Sequence, residues 1–358
     1  MHNDYFIKKS DSKMIYGIAI ILMIYHHLFA FPERFNYNYI CVLNIYGFNI
    51  DYYIGVFGKI CVALYAFISG YALFITAKNN KIIFVINQLI NLYKKFWLIF
   101  CIFIPIGFAC KIYLFDFKEI FLNFIGYHTN YNLEWWYVWE YVKMLIFFPI
   151  MYKSMIFIDK IKIKYINIII FISIILCLRR IDIFLAVFLM GLLCANYQLF
   201  ENFNAIFTKK NKLSIFLSIS MLCIIAVYRS YNPSLNSDIF FAPILIYSVI
   251  NLKNRLNLIK LEKILSTIGT YSIYMWLIHT FIAYYYFQDF IIQAKYSIVI
   301  FLIVFICSLI LGIIFNKVYL YINKKITISK NKCIIIYILL AYIIFQDFLL
   351  SIINKYLI

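Results

Sequence analysis

Charge is what this sequence has least of. Only 13% of its 358 residues are Asp, Glu, Lys or Arg, and 65% are hydrophobic, where a soluble domain carries about a quarter charged and half apolar. No polar stretch is long enough to fold apart from the rest. The chain is therefore expected to be one membrane-embedded unit over residues 1–358, with a core near 12–320 and a final helix near 333–352. Alternation of apolar and polar residues is missing too, which excludes a transmembrane β-barrel. The apolar runs are continuous and long enough for a hydrocarbon core about 30 Å thick, so the spans are helices. Proline and glycine are sparse, five and ten residues, and no internal repeat is evident. That argues against a secondary transporter built from symmetric halves with broken helices. The nine cysteines form no Cys-x-x-Cys pair and no Cys/His ligand spacing. Cys61, Cys101, Cys177, Cys194, Cys223 and Cys307 read as small hydrophobes inside apolar runs, and no metal or other resident cofactor is expected.

Acidic residues are also scarce, 15 against 33 Lys and Arg. Such a balance can mark nucleic-acid binding, but here the cations sit in short segments between apolar runs. Examples are Lys8, Lys9 and Lys13, then Lys94 and Lys95, then Lys209, Lys210 and Lys212. Cations so placed set membrane topology, and no nucleic-acid partner is expected. The fold expectation is an all-α polytopic integral membrane protein with about ten or eleven transmembrane helices. The spans fall near 14–31, 52–75, 96–115, 135–151, 165–178, 182–200, 213–228, 239–251, 268–288, 296–315 and 333–352. The distribution of Lys and Arg puts the N-terminus in the cytoplasm and the C-terminus outside. The first run lacks a small-residue cleavage site, so it is expected to stay as a span. The 21% aromatic content accompanies abundant Ile, Asn and Lys, as AT-rich codon usage produces, and is not by itself a binding signature.

Against this background the most informative residues are His26 and His27, deep in the apolar run that begins at Tyr16. An ionisable ring at membrane depth is a functional-site hypothesis by default. Imidazole titrates near neutral pH, so it can take a proton from a hydroxyl and return it. The plain alternative is a pair of packing histidines bonded to backbone carbonyls. A third histidine, His279, lies in another apolar run, Tyr271–Thr280. Lys59 falls within the second span, where it either snorkels to the interface or holds a polar group in a cavity. Ser69 and Gly70 lie in Phe67-Ile68-Ser69-Gly70-Tyr71 and suit either close helix approach or a ligand. Trp135-Trp136-Tyr137 opens the fourth span and reads as an interfacial belt. Glu140 and Lys143 follow at i and i+3, where they can pair or orient a histidine.

Four segments in order resemble the membrane-bound acyltransferase 3 family, most closely its bacterial surface-polysaccharide O-acetyltransferases. They are the first span ending at His27, Phe67 to Tyr71, Trp135 to Pro149, and Leu277 to His279. Tyr16 stands where the family carries a basic residue ahead of its histidine, and Lys13 is one turn earlier. The resemblance implies transfer of an acetyl group from acetyl-CoA to a hydroxyl of a surface polysaccharide (capsule or lipopolysaccharide) or its lipid-linked precursor. It implies a multi-pass protein of the bacterial cytoplasmic membrane whose partners are acetyl-CoA, the glycan and membrane lipid. The expected catalytic residues are His27, His26 and His279, one acting as base or as acyl relay. Lys13, Tyr16, Lys59, Ser69, Trp136 and Glu140 are the expected substrate-binding residues. The alternative is a polytopic glycan flippase or secondary transporter without acyl chemistry. A glycan polymerase is disfavoured because no outer connection is long.

Overall fold

A computed structural model describes residues 5–35, 39–45, 47–77, 81–207, 209–325 and 330–356. Almost all of it is helix: α1 (Lys9–Phe29), α2 (Ile50–Gly58), α3 (Cys61–Thr76), α4 (Lys81–Ala109), α5 (Phe117–Phe124), α6 (Trp136–Ile158), α7 (Lys164–Ile181) and α8 (Ile183–Asn196). There follow α9 (Leu199–Ile206), α10 (Asn211–Tyr231), α11 (Asp238–Arg255), α12 (Ile259–Thr280), α13 (Gln288–Ile292), α14 (Ser297–Lys325) and α15 (Lys330–Tyr356). Two short strands, Asn44–Ile45 and Phe48–Asn49, pair antiparallel in the connection between α1 and α2.

Seven stretches among the described residues are long and apolar enough to cross a membrane: Lys9–Phe29, Ile50–Thr76, Ile82–Ala109, Leu133–Ile161, Asn211–Tyr231, Leu235–Arg255 and Ser297–Lys324. Helices α8 and α9, bent by 60° at a short break, make an eighth if they form one span. The chain is thus a polytopic all-α membrane protein, with fewer clear spans than the ten or eleven expected. The expected spans near 165–178 and 268–288 coincide with α7 and α12. Arg179 and Arg180 end α7, while α12 opens on Lys260, Glu262 and Lys263 and carries Ser, Thr, Tyr and His along its length. Those polar residues pull both helices below the apolarity of a free-standing span. The last expected span corresponds to the apolar stretch Tyr337–Ile352 of α15.

Helix α1 stands at the centre, packed on α12, α2, α3 and α14. It meets α12 at backbone distance through Gly17 and Gly269. A Cβ at Gly17 would lie 2.0 Å from the Leu265 carbonyl oxygen, and one at Gly269 only 1.8 Å from that of Lys13. Gly70 of α3 and Gly191 of α8 make a second such seam, with Cβ positions 2.1 and 2.2 Å from the carbonyl oxygens of Phe188 and Phe67. Without a strong hydrophobic drive between helices in lipid, small residues at such seams let van der Waals contact hold the bundle.

Ion pairs fasten both ends. Asp11 accepts from the Lys8 backbone N–H, as a cap of α1, and from Lys253 Nζ at 2.6 Å. At the other end Arg229 and Asp238 form a fully buried pair at 2.9 Å across the α10–α11 turn. Asp182 caps α8 by accepting from the Phe184 and Leu185 N–H groups, and also binds Lys143 Nζ at 2.8 Å.

Candidate active site

Consecutive residues on a helix point about 100° apart, so His26 and His27 leave α1 toward different partners. His26 turns to α2, where its Nδ1 lies 2.8 Å from the Gly55 carbonyl oxygen. His27 turns to α12, where its Nδ1 lies 2.7 Å from His279 Nε2, the two rings nearly parallel at 4.9 Å. The Gly17–Gly269 seam on the same helix pair makes this reach possible. His27 Nε2 faces Glu134 Oε2 at 2.9 Å, and Arg34 Nη1 binds Glu134 Oε1 at 2.8 Å. The result is one chain: His279, His27, Glu134, Arg34.

The hydrogen positions in this chain follow from its ends. His279 Nδ1 faces two backbone carbonyl oxygens, Trp276 at 2.8 Å and Met275 at 3.2 Å. A carbonyl only accepts, so that nitrogen carries hydrogen. The Nε2 of a neutral His279 is then a lone pair, and His27 Nδ1–H donates to it. One proton is left for the contact between His27 Nε2 and Glu134. His27 is thereby held in one tautomer beside a carboxylate able to stabilise its charged form.

Glu134 is placed by the short turn ahead of α6. Its N–H donates to Asn132 Oδ1 at 3.1 Å, and Asn132 Nδ2 donates to Thr280 Oγ1 at 2.8 Å. Reciprocal indole bonds lock this turn to α12, with Trp276 Nε1 donating to the Glu134 carbonyl at 3.2 Å and Trp135 Nε1 to that of Leu277 at 3.1 Å. Trp135 is almost wholly buried, so it is not part of an interfacial belt as its position at the edge of a span suggested. Arg34 is set by Gln288, whose amide donates to the Arg34 carbonyl at 2.7 Å, and by the Phe31 ring 4.2 Å under its guanidinium. Burial opposes the charge on Arg34, but the Glu134 carboxylate outweighs it and holds the guanidinium above its usual pKa.

A cavity of about 310 Å³ opens over this chain, lined by His26, His27, Arg34, Lys59, Glu134 and Trp136 among others. His279 is buried behind His27 and does not line it. A second cavity, of about 320 Å³, lies along the same helices toward Lys13. Lys13, Lys95, Tyr16, Tyr65, Tyr141 and Ser69 contribute to its walls. The two cavities share Met23, Tyr137 and Trp276. The Tyr137 hydroxyl in this common wall is buried and has no hydrogen-bond partner among the described residues.

The structure therefore gathers His26, His27, Lys59 and Trp136 around the histidine cavity and Lys13, Tyr16 and Ser69 around the tyrosine cavity, with His279 as support. Glu140 lines neither. It pairs with Lys143 at 2.7 Å, and the carboxylate that reaches the first-span histidine is Glu134 instead. Glu134, Arg34 and Tyr137 were missed by sequence reasoning. Adjacency of Glu134 to Trp135-Trp136 was the one signal available. No group of three or more His, Cys, Asp or Glu side chains is placed to hold a metal ion among the described residues.

A family model described as an acyltransferase domain, that of acyltransferase 3, matches residues 15–317, and the chain belongs to this family. No curated protein and no solved structure matches it. The histidine chain, the common wall and every lining residue of both cavities except Lys13 lie within the matched residues, in a membrane protein of the acyltransferase kind.

Proposed function

We propose that this protein transfers an acetyl group from acetyl-CoA to a hydroxyl of a surface polysaccharide or its lipid-linked precursor, at the cytoplasmic membrane of a bacterium, with His27 as base. The observation that carries the reading is His27 at a cavity wall, fixed through Nδ1 by His279 and faced at Nε2 by a carboxylate. A sugar hydroxyl is a weak nucleophile and must lose its proton as it attacks. A base that does this inside a membrane becomes an imidazolium, and needs an anion beside it. His27 has Glu134 at 2.9 Å, whereas the Nδ1 of His26 is spent on a backbone carbonyl.

The step is a direct transfer. The proton of the resting His27–Glu134 contact is first lost to solvent in the cavity. The acceptor hydroxyl then takes the place of Glu134 at the lone pair of His27 Nε2, and Glu134 stays as a carboxylate on Arg34, close to the imidazolium that forms. As the C–O bond forms, the hydroxyl proton moves to Nε2 and the thioester carbonyl becomes an oxyanion. The C–S bond then breaks, and the imidazolium gives its proton to the leaving thiolate, producing the ester and free thiol. Tyr137 supports this arrangement, since its unpaired hydroxyl lies in the wall common to both cavities and can donate to the oxyanion. The tyrosine cavity suits the donor. Its hydroxyls match the amides of a pantetheine arm, and Lys13 and Lys95 match phosphate. Histidine 279 and Glu134 are positioning residues.

Proton NMR of surface polysaccharide tests the reading in cells with the protein, without it, and with His27→Ala. The acetyl methyl signal is expected to vanish in both of the latter. An unchanged number of acetyl groups per sugar, on a glycan that is reduced in amount or mislocated, would instead establish the transporter alternative.

A further inference from the structure

A third cavity, of about 510 Å³, lies among α8, α9, α10 and α11 and shares no residue with the other two. Its walls are nearly all hydrocarbon, with Leu193, Phe200 and Leu217 inside it. Its mouth is on the outside of the bundle, because Phe203, Met221, Phe240 and Ile244 line it and remain exposed. In a membrane protein that mouth opens on acyl chains.

Two polar features at one end show that the occupant is not hydrocarbon alone. The first is Tyr247, which lines the cavity with a buried hydroxyl that lies beside Ser214 yet makes no hydrogen bond of normal geometry among the described residues. A buried donor of this kind calls for an acceptor. One turn further, Asn251 donates to Ser214 Oγ and Ser218 Oγ, both at 2.8 Å, so each neighbouring hydroxyl already accepts one hydrogen bond.

The second feature is charge. Phe207 and Ser214 both line the cavity, and the chain between them carries Lys209, Lys210 and Lys212, all exposed. No Asp or Glu occurs from 202 to 237, and none of the three lysines forms an ion pair among the described residues. Arg255 fixes this rim, donating to the Phe207 carbonyl at 3.2 Å, to Asn211 Oδ1 at 2.8 Å and to Asn251 Oδ1 at 2.8 Å. An apolar slot, a lone hydroxyl and a cationic rim follow in the order of chain, ester and phosphate in a phospholipid. Juxtamembrane lysines attract anionic headgroups in particular.

We infer that this cavity is a binding site for one anionic diacyl phospholipid of the leaflet that meets Lys209–Lys212. One acyl chain fills the slot, a glycerol ester carbonyl accepts from Tyr247, and the phosphate sits on the lysine rim. The lipid is a resident ligand and not a substrate, since the site is separate from the histidine chain.

Native mass spectrometry of the full-length protein in detergent tests this, with phosphatidylglycerol or phosphatidylcholine of matched chains added. One phosphatidylglycerol should be retained per protein, at about tenfold or more over phosphatidylcholine, because each lysine contributes roughly 1 kcal/mol beside a net anionic headgroup and the choline cation offsets this. The triple variant Lys209→Gln, Lys210→Gln, Lys212→Gln changes only exposed positions and should lose that preference. Leu217→Trp fills the slot and should lose the bound lipid. Equal retention of both lipids, or undiminished phosphatidylglycerol in the triple variant, would overturn the assignment. So would displacement of the lipid by an equal amount of polyprenyl phosphate.

Discussion

The two cavities that meet at Met23, Tyr137 and Trp276 are nearly equal in volume and opposite in material. Among the described residues over the histidine cavity, every charged group but Lys59 is tied to another: His27 to Glu134, and Glu134 to Arg34. The tyrosine cavity holds no carboxylate among the described residues; its polar walls are phenols, serines and Thr270, with Lys13 and Lys95. Coupled charges have one low-energy geometry, which suits a step where reacting atoms must be held to a fraction of an ångström. Neutral hydroxyls hold a ligand by interchangeable bonds, which suits a long flexible arm that must slide in and out. The contrast separates a place for chemistry from a place for delivery.

Substitutions on either side can break that contrast. The largest effect is expected from His27→Ala, which removes the base and should lower kcat by ~10³-fold. The Michaelis constant for the acyl donor should hardly move, because the tyrosine cavity is untouched. Steady-state kinetics of the protein in liposomes with labelled acetyl-CoA would measure both. An equally large loss in His26→Ala would mean that the carboxylate beside His27 does not decide which ring is chemical.

Tyr137→Phe comes next. It removes one hydroxyl from the common wall and should cost about 10²-fold in kcat, in the range of a single oxyanion donor. Its side chain otherwise keeps its shape, so donor and acceptor binding should survive. A rise in the donor Michaelis constant with kcat preserved would put Tyr137 in delivery and out of the chemical step.

The smallest change is expected from Lys13→Gln or Lys95→Gln. Each should raise the donor Michaelis constant by about fivefold, the worth of roughly 1 kcal/mol for a partly solvated ion pair. Wild-type protein should share this weakening as salt is added, and the variants should be less salt-sensitive. Loss of kcat without any change in donor binding would erase the distinction between the two cavities.

Much of this architecture was legible in the sequence. Continuous apolar runs could only be helices in lipid, and imidazoles inside them stood out because their neighbours were Ile, Leu and Met. Glu134 and Arg34 did not stand out, because both lie just beyond apolar runs, where a charge is ordinary. Their meeting with His27 joins one helix to two separate connections, and helical spacing carries no information across such breaks. Trp135 was misplaced for a related reason. An indole at the edge of a span looks the same in sequence whether it faces lipid or the Leu277 carbonyl. The apolar run before Arg179 and Arg180 does form a helix, α7, whose terminal charges keep it out of the seven stretches that meet the length and apolarity of a span.

Gly17 and Gly269 have a genetic consequence. Each lies about ten residues, roughly 15 Å of helix, from the histidine on its own strand of the pair. A side chain at either would collide with backbone and spread α1 from α12, withdrawing His279 from His27 while every reacting group was still encoded. Loss-of-function alleles collected without regard to chemistry should therefore include these glycines beside the histidines. A copy of this chain with all its histidines intact can still be a dead gene product.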